Sequence, residues 1–188
     1  MSAPMAPPRV VSPFNPANAV TASRFLTLPP FVWAVQQDSD AGHQWATLFV
    51  LICGLLDKVD GLVAKIFDCR SVFGELFDAI TDGICYGFAL IVVAYYGWAP
   101  VIPVVLILVM GVLNVVLRFI YGWRAQRATN YKSYAMERLV GYTGYLIGFA
   151  TAGMEVTFFF WLYVPLMAIT LLHDAKRMLI DAVPGGAK

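Results

Sequence analysis

The 188 residues are 60% hydrophobic and only 13% charged, far more apolar than a soluble domain of this size. A formal net charge of +1 excludes a polyanion-binding surface built on bulk charge, so nucleic acid is not an expected partner. Cys53, Cys69 and Cys85 are odd in number and lack metal-site spacing, so they read as small buried side chains rather than disulfide partners.

The composition predicts an all-α polytopic membrane protein with a single domain over residues 18–180. A flexible Pro-rich tail (1–17) precedes it and a disordered tail (181–188) follows. Residues 1–17 lack a charged start followed by an apolar core, so no cleavable signal peptide is expected. Asn18 and Thr21 resemble helix-start residues and open a first membrane helix to about Val35, with a kink expected at Pro29 and Pro30. A polar loop over 36–44, containing His43, leads to a second helix from Trp45 to about Phe67.

After a turn over 69–73, a third helix runs from Gly74 to about Tyr96. Trp98 then serves as an aromatic interface anchor. The fourth helix covers 101–121, with Pro103 in its first turn, and a basic polar loop follows over 122–136. The fifth helix, 137–154, shows a Gly141, Gly144, Gly148 face suited to close helix packing within a protomer or across a homodimer. The sixth, 156–172, contains Pro165 and a Phe158 to Trp161 run expected to face lipid. With both termini on the cytoplasmic side of a bacterial inner membrane, the basic residues gather on the inner face. The opposite loops then carry only Asp38, Asp40 and Glu155 as charges.

Against this apolar background, residues 51–90 carry Asp57, Asp60, Asp78 and Asp82. Ionisable side chains at membrane depth are costly and mark functional sites. Asp57 and Asp60 are i,i+3 and Asp78 and Asp82 are i,i+4, so each pair shares a helical face. The antiparallel second and third helices bring the pairs to similar depth, and all four carboxylates are expected to converge. Four adjacent carboxylates need cations, and two divalent ions would cancel their charge. Hard oxygen ligands favour Mg2+, Mn2+ or Ca2+ over zinc. Paired ions of that kind suit displacement at phosphorus. Gly61, Ala64 and Gly74 are expected to clear a slot beside the metals, with Lys65 and Arg70 at its mouth to hold phosphate.

The pattern Asp57-x-x-Asp60-Gly61-x-x-Ala64-Lys65, then Gly74-x-x-x-Asp78-x-x-x-Asp82, resembles the signature of the CDP-alcohol phosphotransferases. Asn18-x-x-Thr21-x-x-Arg24 is similar to that family's lead-in. The departure is Lys65, where the family has Arg, which keeps the charge but loses bidentate phosphate binding. The resemblance implies that Asp57, Asp60 and Asp78 ligate two Mg2+ or Mn2+ ions. It implies that Asp82 touches one metal and acts as general base. Asp60, Gly61, Ala64, Lys65, Gly74 and Asp78 would line a CDP pocket. The implied reaction moves a phosphatidyl-type group from a CDP-linked lipid to a small alcohol, releasing CMP. Arg70, Arg118 and Arg138 are candidates for acceptor or phosphate contact, and the acceptor itself stays open. An ion or proton transporter relaying through the aspartates is the rival reading; no internal repeat supports it.

Overall fold

The computed structural model describes residues 12–69, 71–125 and 134–181, and every regular element among them is helical. The elements are α1 (Pro16–Ser23), a 3₁₀ turn (Arg24–Thr27), α2 (Leu28–Gln36), α3 (Asp40–Ile66), α4 (Val72–Tyr95), α5 (Val101–Ala125), α6 (Tyr134–Thr151) and α7 (Thr157–Asp181). The proposed tail residues 1–11 and 182–188, and loop residues 126–133, lie outside the described residues.

The expected first helix is broken, and the break lies upstream of the two prolines. Neither Pro29 nor Pro30 has an N–H, so a helix running through them would lose its bonds to the preceding turn. The chain ends α1 at Ser23, tightens into the 3₁₀ turn and restarts with proline in the first positions of α2, where a missing N–H is harmless. At eight and nine residues, neither piece reaches across a hydrocarbon core of roughly 30 Å. Asn18 and Thr21 are not helix-start residues either. Asn15 is the N-cap, its side chain accepting from the Asn18 N–H at 3.0 Å, while Asn18 and Thr21 face inward and are buried.

The long helices start and stop where their caps allow. Ser39 caps α3 by accepting from the Gly42 N–H at 3.1 Å, and Ser71 caps α4 by accepting from the Gly74 N–H at 2.9 Å. Gly97 and Gly153, at φ +77° and +74°, end α4 and α6 in the left-handed conformation that side chains rarely adopt.

The core gathers Phe31, Val35, Ala46, Leu90, Val93, Val104, Ile147 and Phe160 from α2 to α7. Phe160 is fully buried, whereas Phe158, Phe159 and Trp161 are exposed, so the aromatic run does not face one way. The glycine face of α6 packs at least partly inside the protomer: a Cβ on Gly144 would come within 3.0 Å of the Tyr86 ring. His43 has a structural place, stacked on Trp98 at 3.9 Å with Nδ1 2.8 Å from the Thr151 carbonyl.

Outside, Leu51, Leu55, Ile91, Val112, Ile169 and Leu172 are each more than half exposed, which gives apolar outer faces where a water-facing helix would be polar. Among the described residues, two helices, Leu76–Tyr95 and Thr157–Arg177, are long and apolar enough to cross a membrane. Val101–Leu117 and Leu139–Thr151 are shorter apolar stretches.

Candidate active site

The sequence predicts that α3 and α4 face each other directly, but the broken first segment comes between them. Among the described residues, α1 and the 3₁₀ turn touch both α3 and α4. This wedge delivers three polar side chains at helical spacing, Asn18, Thr21 and Arg24, all buried.

Of the four carboxylates expected to converge, three come together. Asp57, Asp78 and Asp82 each offer an oxygen within 4.8 Å of the others. Asp60, buried at 6% exposure, is tied instead to the wedge: the Thr21 hydroxyl donates to its Oδ2 at 2.7 Å. Thr21 Oγ1 also lies 3.1 Å from the Ala17 carbonyl of its own helix, but its one proton goes to the shorter, charge-assisted bond with Asp60.

Arg24 lies in the middle of the group, with no exposed surface. Its Nη1 donates to Asp78 Oδ1 at 3.2 Å and lies 3.6 Å from Asp57 Oδ1, while Nη2 donates to Asp82 Oδ1. The guanidinium also sits 5.7 Å from the centre of the Tyr86 ring. At the rim, Lys58 donates to Asp57 Oδ2 at 2.6 Å. The basic residues next to the aspartates in sequence are Lys58, Lys65 and Arg70. Of these Lys58 pairs with Asp57, Lys65 is exposed, and Arg70 lies outside the described residues. The strongest partner is Arg24, which the sequence places in the lead-in pattern and among the inner-side basic residues but not at the aspartates. The signal for it was present: an arginine inside the apolar run from Ala22 to Phe31 is itself an ionisable group at membrane depth.

The two glycines of the expected slot have different roles. A Cβ on Gly61 would meet nothing within 4 Å, so open space adjoins Asp60. A Cβ on Gly74 would come within 3.0 Å of Asn18 Oδ1 and 3.2 Å of Ser71 Oγ. Gly74 therefore lets the wedge approach the start of α4 rather than opening a slot. Ala64 is half-buried. The backbones of Arg118 and Arg138 lie in α5 and α6, but their side chains are outside the described residues. Cys53 and Cys85 are buried free thiols and Cys69 is half-buried, as expected for small apolar side chains.

An all-oxygen set of three carboxylates from two helices fits a hard divalent cation and offers nothing to a soft one. With Arg24 and Lys58 in place, two of the four formal negative charges already have partners, so the demand for metal charge is smaller than the sequence implied.

Comparison with known proteins points the same way. Residues 14–174 match the family model described as CDP-alcohol phosphatidyltransferase. The chain is 26% identical over 94 residues to a CDP-diacylglycerol--glycerol-3-phosphate 3-phosphatidyltransferase of Rickettsia felis, covering 50% of this chain and 52% of that protein. It is 26% identical over 107 residues to the protein of the same name in Bacillus subtilis, covering 50% and 55%. A cardiolipin synthase (CMP-forming) of Streptomyces coelicolor is 26% identical over 108 residues, covering 56% and 49%. The matches thus span about half the length of these curated relatives.

Proposed function

Because the chain belongs to the CDP-alcohol phosphatidyltransferase family, we propose that it transfers a phosphatidyl-type group from a CDP-linked lipid to the hydroxyl of a small polar alcohol, with release of CMP. The observation that carries this reading is the convergence of Asp57, Asp78 and Asp82 from two helices onto one point, at the spacing of the family signature. The protein is read as an integral membrane enzyme, acting at the cytoplasmic face and assembling as a homodimer.

Asp57, Asp60, Asp78 and Asp82 would hold the two divalent cations, Mg2+ or Mn2+. When bound, these supply positive charge where the pyrophosphate accumulates negative charge during transfer. Asp82 accepts the proton of the attacking hydroxyl and so raises its nucleophilicity at the moment of attack. The space beside Gly61 admits the CDP moiety close to the α3 backbone. Ala64, Lys65 and Asp78 complete the pocket, and Lys65 meets phosphate as a point charge rather than a fork. Thr21 fixes one oxygen of Asp60 from the wedge side.

Two of the relatives described above are named for glycerol 3-phosphate as acceptor. That makes a phosphorylated alcohol the first acceptor to test here, with Arg70, Arg118 and Arg138 as the side chains to hold its phosphate. The test is a headgroup screen: labelled CDP-diacylglycerol is incubated with serine, glycerol phosphate, inositol, inositol phosphate or ethanolamine, and the lipid formed is identified. A new phospholipid with one acceptor supports the reading. Folded, metal-loaded protein that makes none with any of them overturns it.

A further inference from the structure

We propose that Arg24 is the resident counter-cation of the carboxylate cluster, so that a divalent cation binds there in competition with the Arg24 guanidinium. The proposal rests on the metal-dependent reading above and adds a residue that neither the aspartate signature nor the family match assigns.

Three observations carry it. Arg24 is fully buried, yet its terminal nitrogens reach Asp57, Asp78 and Asp82, the same three residues that form the candidate ligand set. A hard cation takes carboxylate oxygens at about 2.0–2.6 Å, so it would draw on oxygens that Arg24 now engages and would meet a fixed positive charge beside them. Arginine cannot relieve that repulsion by losing a proton.

The third observation concerns what else holds the side chain. Arg24 Nε is buried and has no hydrogen-bond partner, so the donor nearest the backbone contributes no anchor. The backbone beneath is firmer, since Thr27 Oγ1 donates to the Arg24 carbonyl at 2.7 Å within the 3₁₀ turn. The head group is held by the carboxylates together with the face of Tyr86. Without metal, Arg24 keeps like charges together; with metal, the same carboxylates have a stronger partner and Arg24 gives way.

The alternative role is positioning in the opposite sense, with Arg24 ordering the carboxylates so that metal binds better. Mn2+ binding separates the two, because competition and ordering move the affinity in opposite directions. The experiment uses the full chain in detergent, stripped of metal, with Mn2+ alone as probe, read by electron paramagnetic resonance and by melting temperature. For Arg24→Gln the expected result is a lower melting temperature without metal, a Kd for Mn2+ at least about fivefold tighter than wild type, and a larger stabilisation by Mn2+. Arg24→Lys, which keeps the charge but not the fork, falls between them. Arg24→Gln combined with Asp82→Asn removes one charge of each sign and recovers most of the metal-free melting temperature.

Mn2+ binding to Arg24→Gln or Arg24→Lys that is equal to or weaker than wild type overturns the proposal. A double variant as unstable as Arg24→Gln alone also overturns it, because packing rather than charge would then explain the burial. These two arms decide the matter even if Arg24→Gln alone does not fold. No Mn2+ binding by wild type or any variant overturns the metal reading itself, and this proposal with it.

Discussion

The Thr21 hydroxyl donates to Asp60 Oδ2 at 2.7 Å, joining α1 to α3 across 39 positions of sequence. Both residues are buried, so removing the donor leaves a carboxylate oxygen without its partner. Thr21→Val is nearly isosteric and should cost about 1–3 kcal/mol of stability, with Thr21→Ser retaining most of it. Thermal unfolding in detergent checks this. A Thr21→Val protein as stable as wild type would show that the contact contributes nothing.

Gly61 and Gly74 should respond in opposite ways to alanine. Gly61 lies within α3 with open space around it, so Gly61→Ala should leave the melting temperature unchanged or raise it, by up to about 1 kcal/mol of helix propensity. Its KM for the CDP-linked lipid should rise, because the added methyl occupies the nucleotide's approach. Gly74→Ala crowds Asn18 Oδ1 and Ser71 Oγ and should lower the melting temperature. Steady-state kinetics and thermal unfolding on both variants separate the two roles.

Asp82→Asn should lower kcat by about 10²–10⁴-fold, the usual contribution of a positioned general base, while the protein stays folded. It also removes one carboxylate from around Arg24, so metal-free stability should fall little or even rise. Retained turnover would take Asp82 out of the role of base.

The helical class, the extent of α4 and the meeting of Asp57, Asp78 and Asp82 were legible in the sequence, because each rests on local periodicity and on the cost of burying charge. The start of α3 was not: the Ser39 cap begins it at Asp40, inside the stretch expected to be a polar loop. Nor was the wedge legible. Its break depends on Pro29 and Pro30 acting as the start of a helix rather than as a kink in one. Its packing between α3 and α4 is a long-range arrangement that no spacing encodes. For the same reason Arg24 read as one inner-side basic charge within the lead-in pattern and Gly74 as part of a slot, when Arg24 reaches three carboxylates and Gly74 makes room for Asn18. Asn18, Thr21 and Arg24 shared a face in the sequence, but their target could be identified only once α1 was placed.

Chelation should abolish activity, with Mg2+ or Mn2+ restoring it and Zn2+ failing, since the donor set is all carboxylate oxygen. Activity at full rate after exhaustive chelation would contradict the metal reading while leaving the family membership intact.

The most direct measurement of the central claim is CMP release by the purified full chain in detergent, given CDP-diacylglycerol and glycerol 3-phosphate, with each component withheld in turn. CMP and a new phospholipid are expected in equal amounts, only when lipid, acceptor and Mg2+ or Mn2+ are all present, with loss of both products in Asp82→Asn. CMP formed at the same rate without any alcohol, or no CMP from a folded protein across the whole acceptor panel, would contradict that claim.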